Sequence, residues 1–220
     1  MPGKLTYFGL GGRAESIRAM LAHKGFDYED DRIDFAKQKE LAETGVAVMG
    51  FLPLWEEDGF TMCQCNSIMR MLGIRLGYYA EDPQTCYNID SLCDFQEDII
   101  GKFVGYFQPA LGGGEPGSGG VDKEAFMTGF WDKQIGIVQN RMAAHGKPFV
   151  AGTAAPTIAD FKLFAQPSVA FPRTNPQCIV SQELQDEIQA KIDAAPQYKA
   201  WFDRMAQELS AYLAAEQRPL

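Results

Sequence analysis

The pattern of apolar and polar positions changes character near residue 78. Before it, short apolar runs alternate with helical stripes. Lys4–Phe8 (KLTYF) reads as a strand. After the glycine turn Gly9–Gly12, Ile17, Met20 and Leu21 recur at helical spacing between Arg13 and Lys24, with Gly25 as the stop. Tyr28–Ile33 (YEDDRI) reads as a second strand, parallel to the first through a right-handed crossover. From Asp34 to Val48 only Ala36–Ala42 suggests a short helix, broken at Gly45. The stretch Leu52–Ile68 (LPLWEEDGFTMCQCNSI) then predicts strand, tight turn, strand and helix. Its turn is Asp58-Gly59, where both positions tolerate positive φ. Ile68, Met69, Leu72 and Ile74 carry the helix to Gly77.

Beyond Gly77–Pro83, whose proline and polar residues end the periodicity, strand signals vanish. Helical stripes follow over Cys86–Phe107, Asp122–Ala144, Thr157–Val169, Ser181–Ala194 and Tyr198–Ala215, with a flexible Gly/Ser/Pro loop over Pro109–Gly120. The fold class expected is α/β plus all-α. A thioredoxin-like N-terminal domain (1–78) is followed by a linker (79–86) and an all-helical C-terminal domain of about five helices (87–220).

Charge narrows the partners. A net charge of −9 argues against nucleic acid, whose phosphates need a basic surface. No apolar run approaches the roughly 20 residues of a membrane span. The opening MPGKLTYF has no secretory apolar region, which places the chain in the cytosol. The five cysteines, Cys63, Cys65, Cys86, Cys93 and Cys178, are odd in number and scattered, as reduced thiols would be. Cys63 and Cys65 are close, but His23 and His145 are distant in sequence, so neither a metal nor a resident cofactor is expected.

Gly112–Gly120 lacks the Gly-Lys-Ser/Thr ending of a phosphate loop, and Gly9–Gly12 lacks the spacing of a dinucleotide fingerprint. Thr157–Asp160 is a capping box, a folding signal without chemistry. Pro53 heads a strand and cannot donate to a ladder, so it belongs at an edge or bend. If its bond is cis, the preceding backbone groups are free to pair with something extended. A helix starting between Gln64 and Ser67 aims unpaired N–H groups at the same place. Together these suit a small peptide bearing a carboxylate, and an ordinary hairpin running into a helix accounts for them equally well. Tyr7 is either a strand aromatic or a hydroxyl beside the glycine loop. Arg13 is unfavourable for a helix N-terminus, which points to a nearby anion unless it is simply solvated.

Taken as a set, YFGLGGRAESIRAMLAHKGFDYEDDRI, FLPLWEEDG, QCNSIMRML and FVAGTAAPTIADF resemble the cytosolic glutathione transferases, nearest the sigma-like and related tyrosine-type classes. The resemblance implies the same two-domain fold, a homodimer, and glutathione as co-substrate. It implies that the Tyr7 hydroxyl donates to the glutathione sulfur and that Arg13 supports the site. Leu52 precedes the cis-proline Pro53 and pairs with the cysteinyl part through its backbone. Gln64 and Cys65 hold the γ-glutamyl group, and Asp98 falls near the aspartate that reaches the neighbouring subunit's γ-glutamyl amine. Cys65 stands where serine is usual, Gly11 where arginine is frequent, and Phe51 where Gln or Lys is common. Phe35–Met49 is longer than the sigma-like pattern and lacks its tryptophan. Lys37, Gln38 and Lys39 are the candidates for the glycyl end there, with Lys39 taken into the site. Leu10, Phe103, Tyr106 and Phe107 would line an apolar pocket for a hydrophobic electrophile, or simply belong to the core. A non-catalytic, crystallin-like binding protein and a thiol-redox enzyme using Cys65 or Cys63 are the competing functions.

Overall fold

The computed structural model describes residues 3–47, 49–170 and 180–216, and Cys178 lies outside them. Four strands form one mixed sheet in the order β2-β1-β3-β4. β1 (Gly3–Phe8) is central and buries Leu5, Thr6 and Tyr7. It pairs in parallel with β2 (Tyr28–Ile33), placing Tyr7 opposite Arg32, and antiparallel with β3 (Leu54–Glu57). β4 (Phe60–Cys63) closes the far edge. A parallel pair needs a crossover. Here it is a 3₁₀ turn at Gly12–Ala14 and helix α1 (Glu15–Lys24), which buries Ile17, Met20 and Leu21 and stops at Gly25 with φ 65°.

α2 (Phe35–Glu43) is capped by Asp34, whose side chain accepts from the Lys37 N–H at 2.8 Å. None of its residues is buried, and only Phe35 makes an aromatic contact with the sheet, on Phe8 at 4.7 Å. The Leu52–Pro53 bond is cis. Asp58 (φ 50°) and Gly59 (φ 78°) make the hairpin turn, as expected. α3 (Cys65–Leu76) buries Ile68, Met69 and Leu72 and ends at Gly77, while Ile74, read as part of the same stripe, is exposed.

The helical part starts with α4 (Pro83–Leu111), whose N-cap Asp82 accepts from the Thr85 N–H at 2.8 Å. The loop expected from Pro109 begins later. Proline removes one donor but leaves the final turn intact, and the chain leaves the helix where the Gly112 and Gly114 N–H groups both turn back to the Pro109 carbonyl at 3.0 Å. The next helix is interrupted: α5 (Lys123–Phe126) and α6 (Lys133–His145) are joined by a π-helical segment, Met127–Asp132. α7 (Ile158–Ala170) and α8 (Gln182–Asp193) follow. The last predicted helix is two, α9 (Pro196–Glu208) and α10 (Ser210–Ala215), broken at Leu209. Among the described residues no helix is long and apolar enough to cross a membrane.

α1 packs against α7, and a single apolar core runs through both parts of the chain. At the seam the Ile158 N–H donates to the Tyr78 carbonyl at 3.0 Å, and the His23 ring contacts the Tyr78 hydroxyl at 2.6 Å and the Phe161 ring at 5.4 Å. Asp160 performs the capping-box role and more. One oxygen accepts from the Thr157 N–H (2.8 Å) and hydroxyl (3.0 Å), the other from the Val150 N–H (3.0 Å) and the Trp201 indole N–H (3.0 Å). Its carboxylate is completely buried and ties α7 both to the segment before it and to α9.

Candidate functional site

Two clefts meet at the Gly12–Arg13 pair. The polar one, a cavity of about 430 Å³, is lined by Arg13, Phe51, Leu52, Gln64, Cys65, Asn66 and Glu97. The other, about 280 Å³, is mostly apolar, with Leu10, Phe103, Val104, Phe107, Leu111 and Val169 on its walls and Gly12 at its edge.

Tyr7 lies between them. β1 delivers its side chain almost fully buried against the glycine turn. The hydroxyl oxygen accepts from the Arg13 backbone N–H at 3.1 Å, and among the described residues no acceptor takes the hydroxyl's own proton. Burial raises the Tyr7 pKa, and the Arg13 N–H and the Arg13 charge offset only part of this, so the group stays a neutral donor through physiological pH. Space around it is tight. A Cβ on Gly12, whose φ is +48°, would stand 2.5 Å from the hydroxyl oxygen. The turn is also held from behind, where the Gln166 side chain of α7 donates to the Gly12 carbonyl at 2.8 Å.

The polar cleft is built at the start of α3. Gln64, the residue before the helix, is held at φ 72°, a conformation that non-glycine residues adopt at a cost and that clusters at ligand sites. It is exposed, with its amide near the Met49 sulfur at 3.7 Å. Cys65 opens the helix, is nearly buried, and donates its thiol to the Arg13 carbonyl at 3.1 Å. The Asn66 amide donates to Asp94 at 3.1 Å, while its oxygen is buried with no partner among the described residues. Leu52 lines the cleft, and Pro53 is buried behind it.

The sequence-derived candidates therefore divide. Arg13, Leu52, Gln64 and Cys65 come together in one cleft, with Tyr7 beside it. Lys39 lies outside that cleft: it is on the exposed face of α2, 3.8 Å from Glu43. Asp98 is exposed on α4, and its neighbour Glu97 is the acid that enters the cleft, accepting from Arg13 Nε at 3.2 Å. Leu10, Phe103 and Phe107 line the apolar cleft, whereas Tyr106 stacks on Phe126 at 4.4 Å and is not part of its wall.

Glu97 and Lys162 were missed. Lys162, on α7, is buried and donates to Cys65 Sγ at 3.2 Å and to Glu97 at 2.5 Å. The signal was available: it is the single lysine in the run Ile158–Phe164 (IADFKLF), which has no polar face to offer it. Burial works to raise the Glu97 pKa, but Lys162 and Arg13 outweigh it and hold the carboxyl below its ordinary range.

A thioredoxin-like sheet domain joined to a helical domain matches the glutathione transferase fold. Residues 3–73 match the family "Glutathione S-transferase, N-terminal domain". Probable glutathione S-transferase 5 of Caenorhabditis elegans is 30% identical over 200 residues, which cover 91% of this chain and 95% of that protein. The chain belongs to the glutathione S-transferase family. In fold it is similar to a Pi-class glutathione S-transferase of Onchocerca volvulus (TM-score 0.77, 20% identity, covering 99% of this chain and 94% of the other). It is similar also to monomeric Na-GST-3, a glutathione S-transferase of the hookworm Necator americanus (TM-score 0.76, 23% identity, covering 98% and 97%).

Proposed function

We propose that this transferase is of the tyrosine type and that it binds glutathione in the polar cleft. In this reading Leu52 pairs with the cysteinyl part through its backbone. Arg13, Gln64 and Cys65, with Asn66 added from the geometry, hold the γ-glutamyl end. The sulfur lies at the Tyr7 hydroxyl, beside the apolar cleft that takes a hydrophobic electrophile. The sigma-like class, a cytosolic location and a homodimer in which exposed Asp98 reaches the partner's cleft belong to the same reading.

One observation carries it: a buried, neutral tyrosine hydroxyl is fixed by a backbone N–H on its oxygen, and its proton has no acceptor among the described residues. A free thiol, with a pKa of about 8.5, is only a few per cent thiolate at neutral pH. A donor aimed at sulfur favours the anion, because hydrogen bonds to a charged acceptor are the stronger kind. The thiol proton leaves to solvent. The thiolate then forms a carbon–sulfur bond to the electrophile, and the leaving group departs with its electron pair.

The test is the ultraviolet thiolate band of glutathione titrated into the protein across pH. The band is expected at least one pH unit below the free thiol's midpoint, a shift equivalent to about 1.4 kcal/mol. Saturating glutathione without a band would remove the catalytic reading and favour a binding role. Gly12→Ala checks the geometry independently. The added methyl collides with the Tyr7 hydroxyl, so turnover with 1-chloro-2,4-dinitrobenzene should fall by about 10²-fold, the usual cost of an ångström-scale misplacement. Steady-state kinetics beside a thermal melt would show this, and unchanged turnover would place the sulfur elsewhere.

A further inference from the structure

Lys162 is buried deep in α7, at 1% exposure. An ammonium stays in such a place only when other groups replace its water. Its two partners lead back to one residue. Lys162 donates to Glu97, which accepts from the Arg13 side chain at 3.2 Å. Lys162 also donates to Cys65 Sγ, which donates in turn to the Arg13 carbonyl at 3.1 Å. The result is a closed ring that grips Arg13 by its side chain and its backbone, while the Arg13 N–H holds Tyr7. Burial alone would lower the Lys162 pKa. The Glu97 carboxylate and the hydrogen bonds to Glu97 and to the Cys65 thiol work against that, and the nitrogen keeps its proton.

The charges of the ring do not balance. A single carboxylate, Glu97, serves two cations, Arg13 and Lys162. The other charged groups nearby are committed elsewhere. Asp90 is paired with Arg70 at 2.9 Å, Asp94 is bonded to Asn66, and Asp98 is exposed. The wall of the polar cleft therefore carries one unmatched positive charge, presented through Arg13.

The geometry points to Lys162 as a positioning residue for recognition of the γ-glutamyl α-carboxylate of glutathione. It takes a share of the Glu97 charge, leaving the Arg13 guanidinium to attract the ligand's anion. This rests on the glutathione reading above. A lysine at this place also fits the thiol of Cys65, which accepts the ammonium proton at a distance suited to sulfur.

The experiment compares glutathione with an analogue in which 4-aminobutyryl replaces γ-glutamyl, removing only that carboxylate. Wild-type protein is expected to bind glutathione at least about tenfold more tightly than the analogue, a difference of about 1.4 kcal/mol. Lys162→Met should bring the preference close to one. It should do so by weakening glutathione and leaving the analogue's affinity nearly unchanged. Lys162→Arg should keep the preference. If the methionine variant melts below assay temperature, Lys162→Gln, which retains hydrogen bonding without charge, takes its place. Equal weakening of both ligands, or an undiminished preference in the uncharged variant, would overturn the assignment. So would a wild-type preference near one. Wild-type protein that binds neither ligand would instead bring down the glutathione reading itself.

Discussion

Tyr7→Phe should conjugate about 10²-fold more slowly at pH 6.5, the loss typical of removing one preorganised donor to a developing anion. Glutathione affinity should stay within about twofold, because the cleft groups that hold the peptide are untouched. Folding should be intact as well. The ring keeps its place against Phe8 at 5.2 Å and beneath the Arg18 guanidinium at 5.9 Å, and only one backbone N–H loses its acceptor. The pH profile is the sharper measurement. In the wild type the rate should level off above the depressed midpoint of the bound thiol, and burial keeps the Tyr7 hydroxyl protonated above its ordinary range, so the plateau should extend to high pH. In the variant the sulfur relies on its own ionisation, and its rate should climb toward the free thiol's pKa of about 8.5. The gap between the two enzymes should therefore narrow with pH. A gap that stays constant would mean that Tyr7 serves some step other than thiolate stabilisation.

Asp160→Ala should lower stability by about 4 kcal/mol, the largest structural effect expected in the chain. Truncation leaves four donors buried around an empty site, two on Thr157, one on Val150 and the Trp201 indole, and each orphaned group costs roughly 1–3 kcal/mol before relaxation. For a protein of this length that corresponds to a melting temperature on the order of 10 °C lower. Asp160→Asn, which keeps the shape and one acceptor oxygen, should fall between the two. Chemical denaturation followed by tryptophan fluorescence would report it directly, since Trp201 is one of the partners. A loss below about 1 kcal/mol would mean that water reaches these donors, contrary to their burial.

Much of this molecule is legible in local sequence signals. The Asp58-Gly59 turn, the stop at Gly77 and the Thr157–Asp160 box depend on residues within a few positions of one another, and the parallel strand pair follows from one strand-helix-strand unit of about 30 residues. The polar cleft is legible for the same reason, since Leu52, Gln64 and Cys65 lie on one hairpin-to-helix segment. What escaped depends on helical phase and on contacts across the chain. Glu97 and Asp98 are adjacent acids, yet one residue turns a helix by about 100°, and only the packing of α4 against α7 decides which of them enters the cleft. Lys162 pairs with residues 65 and 97 positions away, beyond any local pattern. Lys39 rests on the family resemblance alone, and α2, which buries nothing, has no periodicity to tell Lys37, Gln38 and Lys39 apart. The break at Leu209 carries neither glycine nor proline and so left no mark in the pattern.

The hydrogen bond from Gln166 to the Gly12 carbonyl has a consequence for the order in which the protein becomes competent during synthesis. The strand and turn that present Tyr7 are among the first residues made, yet the side chain that braces that turn is made 154 positions later. A ribosome-bound chain halted before α7 has translated every side chain that lines the polar cleft and lacks the brace. A later helix thus braces one of the earliest turns of the chain, and the setting of the Tyr7 hydroxyl is complete only once α7 has been translated.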